Sequence, residues 1–154
     1  MRINQVIDSN NGKEKLLVKQ KIWSEIKDCF ANPQISMTKG NAPYIKREVA
    51  ETLTKCGWAE NVKISPSNLS INFLKNKIGL CLQLGNYARV YADLLKLQLM
   101  YEKDTIEIGI IAVPFKDKAK LIGSNVAQFE RLTDEIKLFC KIIHLPLVIL
   151  GLDN

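Results

Sequence analysis

The stretch Ser70–Asp93 constrains the fold most, because two apolar runs of strand character meet at Lys75-Asn76-Lys77, leaving room only for a turn. Leu69, Ile71 and Phe73 alternate with Ser70, Asn72 and Leu74, as in a strand with one strongly buried face. Ile78 to Leu84 is nearly all apolar, the pattern of a central strand covered on both faces. Gly85-Asn86 breaks that run. A helix is then expected from about Tyr87 to Tyr101, with Val90, Leu94, Leu97 and Met100 along its apolar stripe. Gln83 is the oddity in this layout, since a buried amide costs free energy unless it is hydrogen-bonded.

The flanking sequence supplies the remaining elements. Residues 1–12 are polar and are expected to form a loose lead. Leu16, Leu17, Trp23, Ile26 and Phe30 recur at helical spacing from Lys13 until Asn32-Pro33 ends the pattern. Residues 33–43 read as a loop, followed by a second helix from about Tyr44 to Lys55 and a short strand from Val62 to Ile64. Ile106 to Val113 reads as a buried strand ended by Pro114, and Phe115 to Lys120 as a charged loop. Ser124 or Asn125 is expected to cap a last helix reaching about Ile142, with Val126, Phe129, Ile136, Phe139 and Cys140 as its core face. A strand from Leu145 to Leu150, closed by Gly151, completes the chain.

Two strand–helix–strand units require crossovers between parallel strands, while the hairpin is antiparallel. The expected fold is therefore α/β: a three-layer α/β/α sandwich around a mixed five-stranded sheet. With 154 residues and no repeat or linker, the chain is expected to form a single domain over 1–154.

Several function classes are disfavoured early. No apolar run approaches the roughly 20 residues needed to span a bilayer. The four cysteines form no C-x-x-C pair and the one histidine is His144, so neither a zinc motif nor a disulfide framework is expected. Unpaired thiols point to a reducing, cytoplasmic setting. A net charge of +6 favours a polyanionic partner without naming it. His144 reads as a helix-end or core histidine, and Cys81 has no neighbouring histidine to activate it as a nucleophile. Trp23 and Trp58 read as core or interface aromatics.

Ile71-Asn72-Phe73 followed by Gly79-Leu80-Cys81-Leu82-Gln83-Leu84-Gly85-Asn86 resembles the catalytic hairpin of the BglII/BstYI-like restriction endonucleases, within the PD-(D/E)xK nuclease superfamily. In that subfamily an Asp is followed nine residues later by Glu and two further on by Gln; the matching positions here are Asn72, Cys81 and Gln83. The likeness runs over about residues 45–151 and implies a restriction-endonuclease-like fold. It implies Asn72, Cys81 and Gln83 as the catalytic positions, with both acidic members replaced.

Phosphodiester hydrolysis of this type needs a hard divalent cation held by carboxylate oxygens. Asn72 offers a neutral carbonyl oxygen and Cys81 a soft sulfur, so the site as written is poorly suited to Mg²⁺. No cofactor is expected, or Mg²⁺ if nuclease activity survives through a substitute such as Glu51 on the helix before the hairpin. Asp93 is expected to make a local contact with Arg89. Lys46, Arg47, Lys75, Lys77 and Arg89, together with Lys39, are expected around one face as phosphate contacts.

Three functions follow. The chain is a degenerate nuclease-fold module that binds DNA or a partner protein, such as a nuclease or toxin, in bacterial defence or competition. Alternatively it is an active Mg²⁺-dependent endonuclease, or an immunity protein that neutralises a toxin. Binding ranks ahead of catalysis, and a homodimer is open to it.

Overall fold

A computed structural model describes residues 1–32 and 35–154. Its elements are β1 (Arg2–Ser9), α1 (Gly12–Val18), α2 (Gln20–Phe30), α3 (Ala42–Lys55), β2 (Ala59–Lys63), β3 (Ser70–Lys75) and β4 (Ile78–Leu82). They continue with α4 (Ala88–Glu102), β5 (Ile108–Pro114), α5 (Lys116–Ile122), α6 (Phe129–Glu135), a 3₁₀ turn (Ile136–Phe139) and β6 (Leu147–Asp153). Pro33 and Gln34, where the first helix and the following loop were expected to meet, lie outside the described residues.

The strands form one mixed sheet in the order β1-β6-β5-β4-β3-β2. β4, β5 and β6 run parallel at its centre, and the outer strands pair antiparallel. Every residue of β4 and β5 is buried, as parallel strands covered on both faces should be. Leu80, Leu82, Ile110, Ala112 and Leu150 pack beneath α1, α2 and α3, whose Leu16, Ile26, Phe30, Ile45 and Val49 meet them. Cys81, Ile111, Val113 and Ile149 face the other way, against Val90, Leu94 and Leu97 of α4 and Leu132 of α6. The sheet is thus flanked by helices on both faces. At roughly 1.5–3 kcal/mol per fully buried Leu or Ile side chain, these two apolar layers dominate the folding free energy.

The sheet has six strands, not five. The expected loose lead is β1, which pairs with β6 from Arg2↔Asp153 to Ser9↔Leu147 and satisfies backbone groups that an uncovered β6 would leave open. The expected first helix is two, because Lys19 leaves helical geometry at φ −89°, ψ 57°. The break seats both Leu16 and Ile22 on the sheet and leaves Leu17 exposed.

Phe115–Lys120 is largely helix rather than loop, with Ala119 turned inward. The last helix is shorter than expected because residues 125–127 pair with the turn after β4. Tyr87 donates its N–H to Asn125 O and Ala127 donates to Gly85 O, each at 2.9 Å. Cys140 is exposed rather than on a core face. Gly151 does not close the last strand; a Cβ there would sit 2.8 Å from the Phe115 ring, so the glycine makes room for that ring.

The hairpin forms as its sequence requires. Asn76 (φ 47°) and Lys77 (φ 62°) both take left-handed geometry between the paired residues Lys75 and Ile78, which matches the twist of the flanking strands. Leu69, just before β3, is exposed, while Ile71 and Phe73 are buried.

Candidate functional site

β3 changes face at Asn72. Ile71 packs in the layer beside α4, whereas Phe73, two residues on, packs in the layer beside α3. A regular strand keeps residues two apart on one face, so the backbone is kinked between them. β2 carries a matching irregularity: Asn61, between the residues paired with Phe73 and Ile71, has φ 51°. The backbone pairing of β3 with β4 runs only from Lys75↔Ile78 to Phe73↔Leu80. Beyond it the Asn72 carboxamide oxygen accepts the Leu82 N–H at 2.9 Å.

The strands splay there and open a cleft of about 350 Å³, whose walls include Asn72, Leu82 and Gln83. Gln83 continues the line of β4, donating its backbone N–H to Ala112 O at 2.9 Å. Its side chain is buried and satisfied: Nε2 donates to Asp93 Oδ2 at 2.9 Å, and Oε1 accepts the Gly85 N–H at 3.1 Å. Asp93 Oδ1 in turn pairs with Lys96 Nζ at 2.9 Å. Three side chains from a strand end and one helix face thus form a chain of contacts along the cleft wall.

α3 and α4 approach the cleft from opposite faces of the sheet. Lys46 enters from the first turns of α3 and Arg89 from the start of α4. A smaller cleft of about 170 Å³ adjoins it, sharing Lys46, Asn72 and Leu82 and adding Glu60 and Asn61. Elsewhere, an apolar groove of about 280 Å³ lies between α4 and the segment after the 3₁₀ turn, lined by Leu94, Leu95 and Phe139 among others. It offers no polar surface and so no group for chemistry.

Cys81 does not reach the cleft. It is fully buried beneath it, in the layer beside α4. Burial pushes its thiol pKa up and the nearby Asp93 charge adds to that, outweighing the opposing hydrogen bond with the Asn72 backbone and the charge of Lys96. Burial thus favours the protonated thiol, the form least suited to bind a metal or act as a nucleophile.

The expected basic residues divide. Lys46 and Arg89 line the cleft. Arg47 is exposed on α3, over the Tyr44 ring at 5.3 Å and beside Glu48 and Glu51 at 3.7 and 3.9 Å. Glu51 is exposed in that pairing and does not line the cleft. Lys39 is exposed in the turn before α3.

Lys75 and Lys77 sit at the turn of the hairpin, Lys75 three residues from Asn72 and so roughly 10 Å away at about 3.3 Å per strand residue. Neither lines the cleft that Lys46 and Arg89 share, so the expected basic residues do not gather around it. Lys75 is turned inward, where Nζ pairs with both oxygens of Glu25 at 2.7 and 2.8 Å and donates to Cys56 O. Lys77 faces Glu107 at 3.6 Å.

Asp93 is also reassigned: its partners are Gln83 and Lys96, not Arg89. Lys96 was absent from the sequence-based candidates. The signal available for it was its position three residues after Asp93 on a helix.

A hard divalent cation does not fit these donors. Asp93 is the one carboxylate lining the main cleft, and Lys96 already holds it. The Asn72 and Gln83 side-chain oxygens are neutral and each already accepts one backbone N–H. Among the described residues, no three His, Cys, Asp or Glu side chains converge as a metal site would require.

The family model described as restriction endonuclease BglII/BglIII matches residues 4–152. Two solved structures resemble the fold closely. The crystal structure of restriction endonuclease BglII complexed with a DNA 16-mer superposes with a TM-score of 0.85 at 15% identity, covering 99% of this chain and 76% of that one. The crystal structure of free BglII gives a TM-score of 0.76 at 17% identity, covering 100% of this chain and 80% of that one. No curated protein sequence matches the chain.

Proposed function

The chain belongs to the restriction endonuclease BglII/BglIII family, and from that membership we propose that it is a degenerate nuclease-fold module that binds duplex DNA without cutting it. The observation that carries this reading is the charge of the cleft. Lys46, Arg89 and Lys96 line it against one carboxylate, Asp93, so the local field attracts phosphate and repels Mg²⁺. The degenerate site consists of Asn72, Cys81 and Gln83, where a structural hydrogen bond, a buried thiol and a buried amide replace a metal-binding set. Arg47, exposed on α3, extends the contact surface. The DNA-bound state of the similar BglII structure supports the choice of partner.

The wider setting belongs to the same reading. The chain acts as a single domain in bacterial defence or competition, in a reducing cytoplasm where its four thiols stay free. A homodimer on a two-fold site suits such a module, and sedimentation with and without DNA reads it.

Gel shifts with duplex DNA in EDTA, paired with plasmid cleavage in Mg²⁺ and Mn²⁺, test the proposal. Binding in EDTA with no cleavage is the expected result. One phosphate seated in the cleft and one at Arg47 give a slope of log K against log salt near −2, at about −0.9 per neutralised phosphate. Cleavage above background identifies the active-endonuclease alternative. Absence of any shift at low salt transfers the role to a protein partner, as in the immunity alternative.

A further inference from the structure

We infer that Lys96 is a resident cation standing in for a divalent metal, and that with Lys46 and Arg89 it forms a metal-independent site for one phosphate group. The inference rests on the DNA-binding reading above and names the group that the cleft takes. A divalent ion in a nuclease site neutralises a phosphate oxygen at the base of the cleft. Here an ammonium lies beside the degenerate positions, and it is covalently part of the chain.

The support around Lys96 distinguishes it from an ordinary surface lysine. Its side chain is 21% exposed and its partner Asp93 is 10% exposed. Asp93 is itself fixed by the buried amide of Gln83 at 2.9 Å, and Gln83 by the Gly85 N–H. The ammonium is thus held by a chain of contacts that runs back to the end of β4.

An ammonium has three donors, and one is used on Asp93 Oδ1; no second hydrogen bond is made by it among the described residues. The others are available to a ligand in the cleft that Lys96 lines. In this partly desolvated setting a cation attracts an anion more strongly than at an open surface. Lys46 and Arg89, entering from α3 and α4, supply donors from the remaining walls. Arg89 suits a phosphate in particular, because its planar fork pairs with two oxygens at once.

The same arrangement bears on Asn72, which lines the cleft. An added carboxylate there would compete for the cations and weaken the field that attracts the phosphate. A neutral Asn leaves the lysine charge available. The metal is not missing from this site; its charge has been supplied another way.

Inorganic phosphate is the probe. Calorimetry or phosphorus NMR of the whole chain in EDTA should detect saturable binding that added Mg²⁺ does not strengthen. Lys96→Gln keeps a hydrogen bond to Asp93 but removes the charge, and should weaken phosphate binding by tenfold or more. Lys46→Met should weaken it several-fold, and Lys137→Met, on the remote Asp134 pair, should leave it unchanged. No binding in EDTA, binding that requires Mg²⁺, or a Lys96→Gln effect no larger than that of Lys137→Met overturns the inference. If Lys96→Gln does not fold, the Mg²⁺ dependence of the wild-type protein still decides. DNA shifts on the same variants separate the two readings. Phosphate bound without DNA sinks the DNA reading and keeps the site; DNA bound equally by wild type and Lys96→Gln does the reverse.

Discussion

The Asn72 side chain and the Leu82 N–H form a 2.9 Å hydrogen bond at the point where backbone pairing between β3 and β4 gives out. A carboxamide thus replaces a rung of the ladder and props the strands apart where the cleft opens. Asn72→Ala should leave that N–H unsatisfied and cost about 1–2 kcal/mol in urea denaturation. Asn72→Asp keeps the acceptor, so its stability should lie near wild type while its DNA affinity falls several-fold, because a negative charge now faces Lys46 and Arg89. An Asp variant that unfolds, or binds DNA as well as wild type, contradicts this account of the position.

Lys75 should prove structural. Its ammonium bridges Glu25 and Cys56 O while Trp58 Nε1 donates to Glu25 at 3.0 Å, and the Lys75 and Glu25 side chains are 16% and 12% exposed. Lys75→Met leaves Glu25 without its counter-charge and should cost about 2–4 kcal/mol. DNA affinity measured well below the melting temperature should not change. A large loss of affinity with unchanged stability would place Lys75 at the DNA after all.

The acid limb of stability should depend on Glu135. Burial opposes its ionisation, but Arg131 at 2.8 Å and the hydroxyls of Tyr87 and Tyr91 outweigh burial and hold its pKa down to about 2. The folded pKa lies below the ordinary carboxylate value of about 4.3, so this contribution is fully present above that pH. It is lost as pH falls from about 4 towards 2. Urea midpoints between pH 2 and 7 should show this loss in the wild type, and Glu135→Gln should flatten it. Equal pH dependence in both proteins would exclude the mechanism.

Thiol labelling should split the cysteines two and two. Cys56 and Cys140 are exposed, whereas Cys29 and Cys81 are buried. Burial, aided by nearby Cys56, pushes the Cys29 pKa up to about 12, and burial also pushes up Cys81. Iodoacetamide on the native protein should modify Cys56 and Cys140 within minutes and the others only on unfolding, as peptide mass spectrometry would report. Rapid modification of Cys81 would show that the cleft floor opens.

What the sequence disclosed follows the range of the forces involved. The hairpin and α4 were legible because Ile71, Phe73, Ile78–Leu84 and the Val90–Met100 stripe carry their periodicity locally. β1 was not, because Arg2–Ser9 is mostly polar and is a strand only by virtue of β6, nearly the whole chain away. α5 was hidden in a run of lysines with one inward alanine. At the cleft, Asn72 and Gln83 could be found through the resemblance to the family's hairpin, yet the Gln83–Asp93–Lys96 chain depends on how α4 returns over β4. Lys75 and Lys77 misled for the same reason: short separation along the chain says nothing about which end of a strand a side chain serves.

The Asn76–Lys77 turn gains a practical meaning from its place at the far end of the hairpin. A dye or a short peptide tag attached there would ride on the same rigid pair of strands that bounds the cleft, at a strand's length from any ligand. It would report rotation and proximity without competing for phosphate, which makes this turn the natural handle for watching the protein engage its partner in solution.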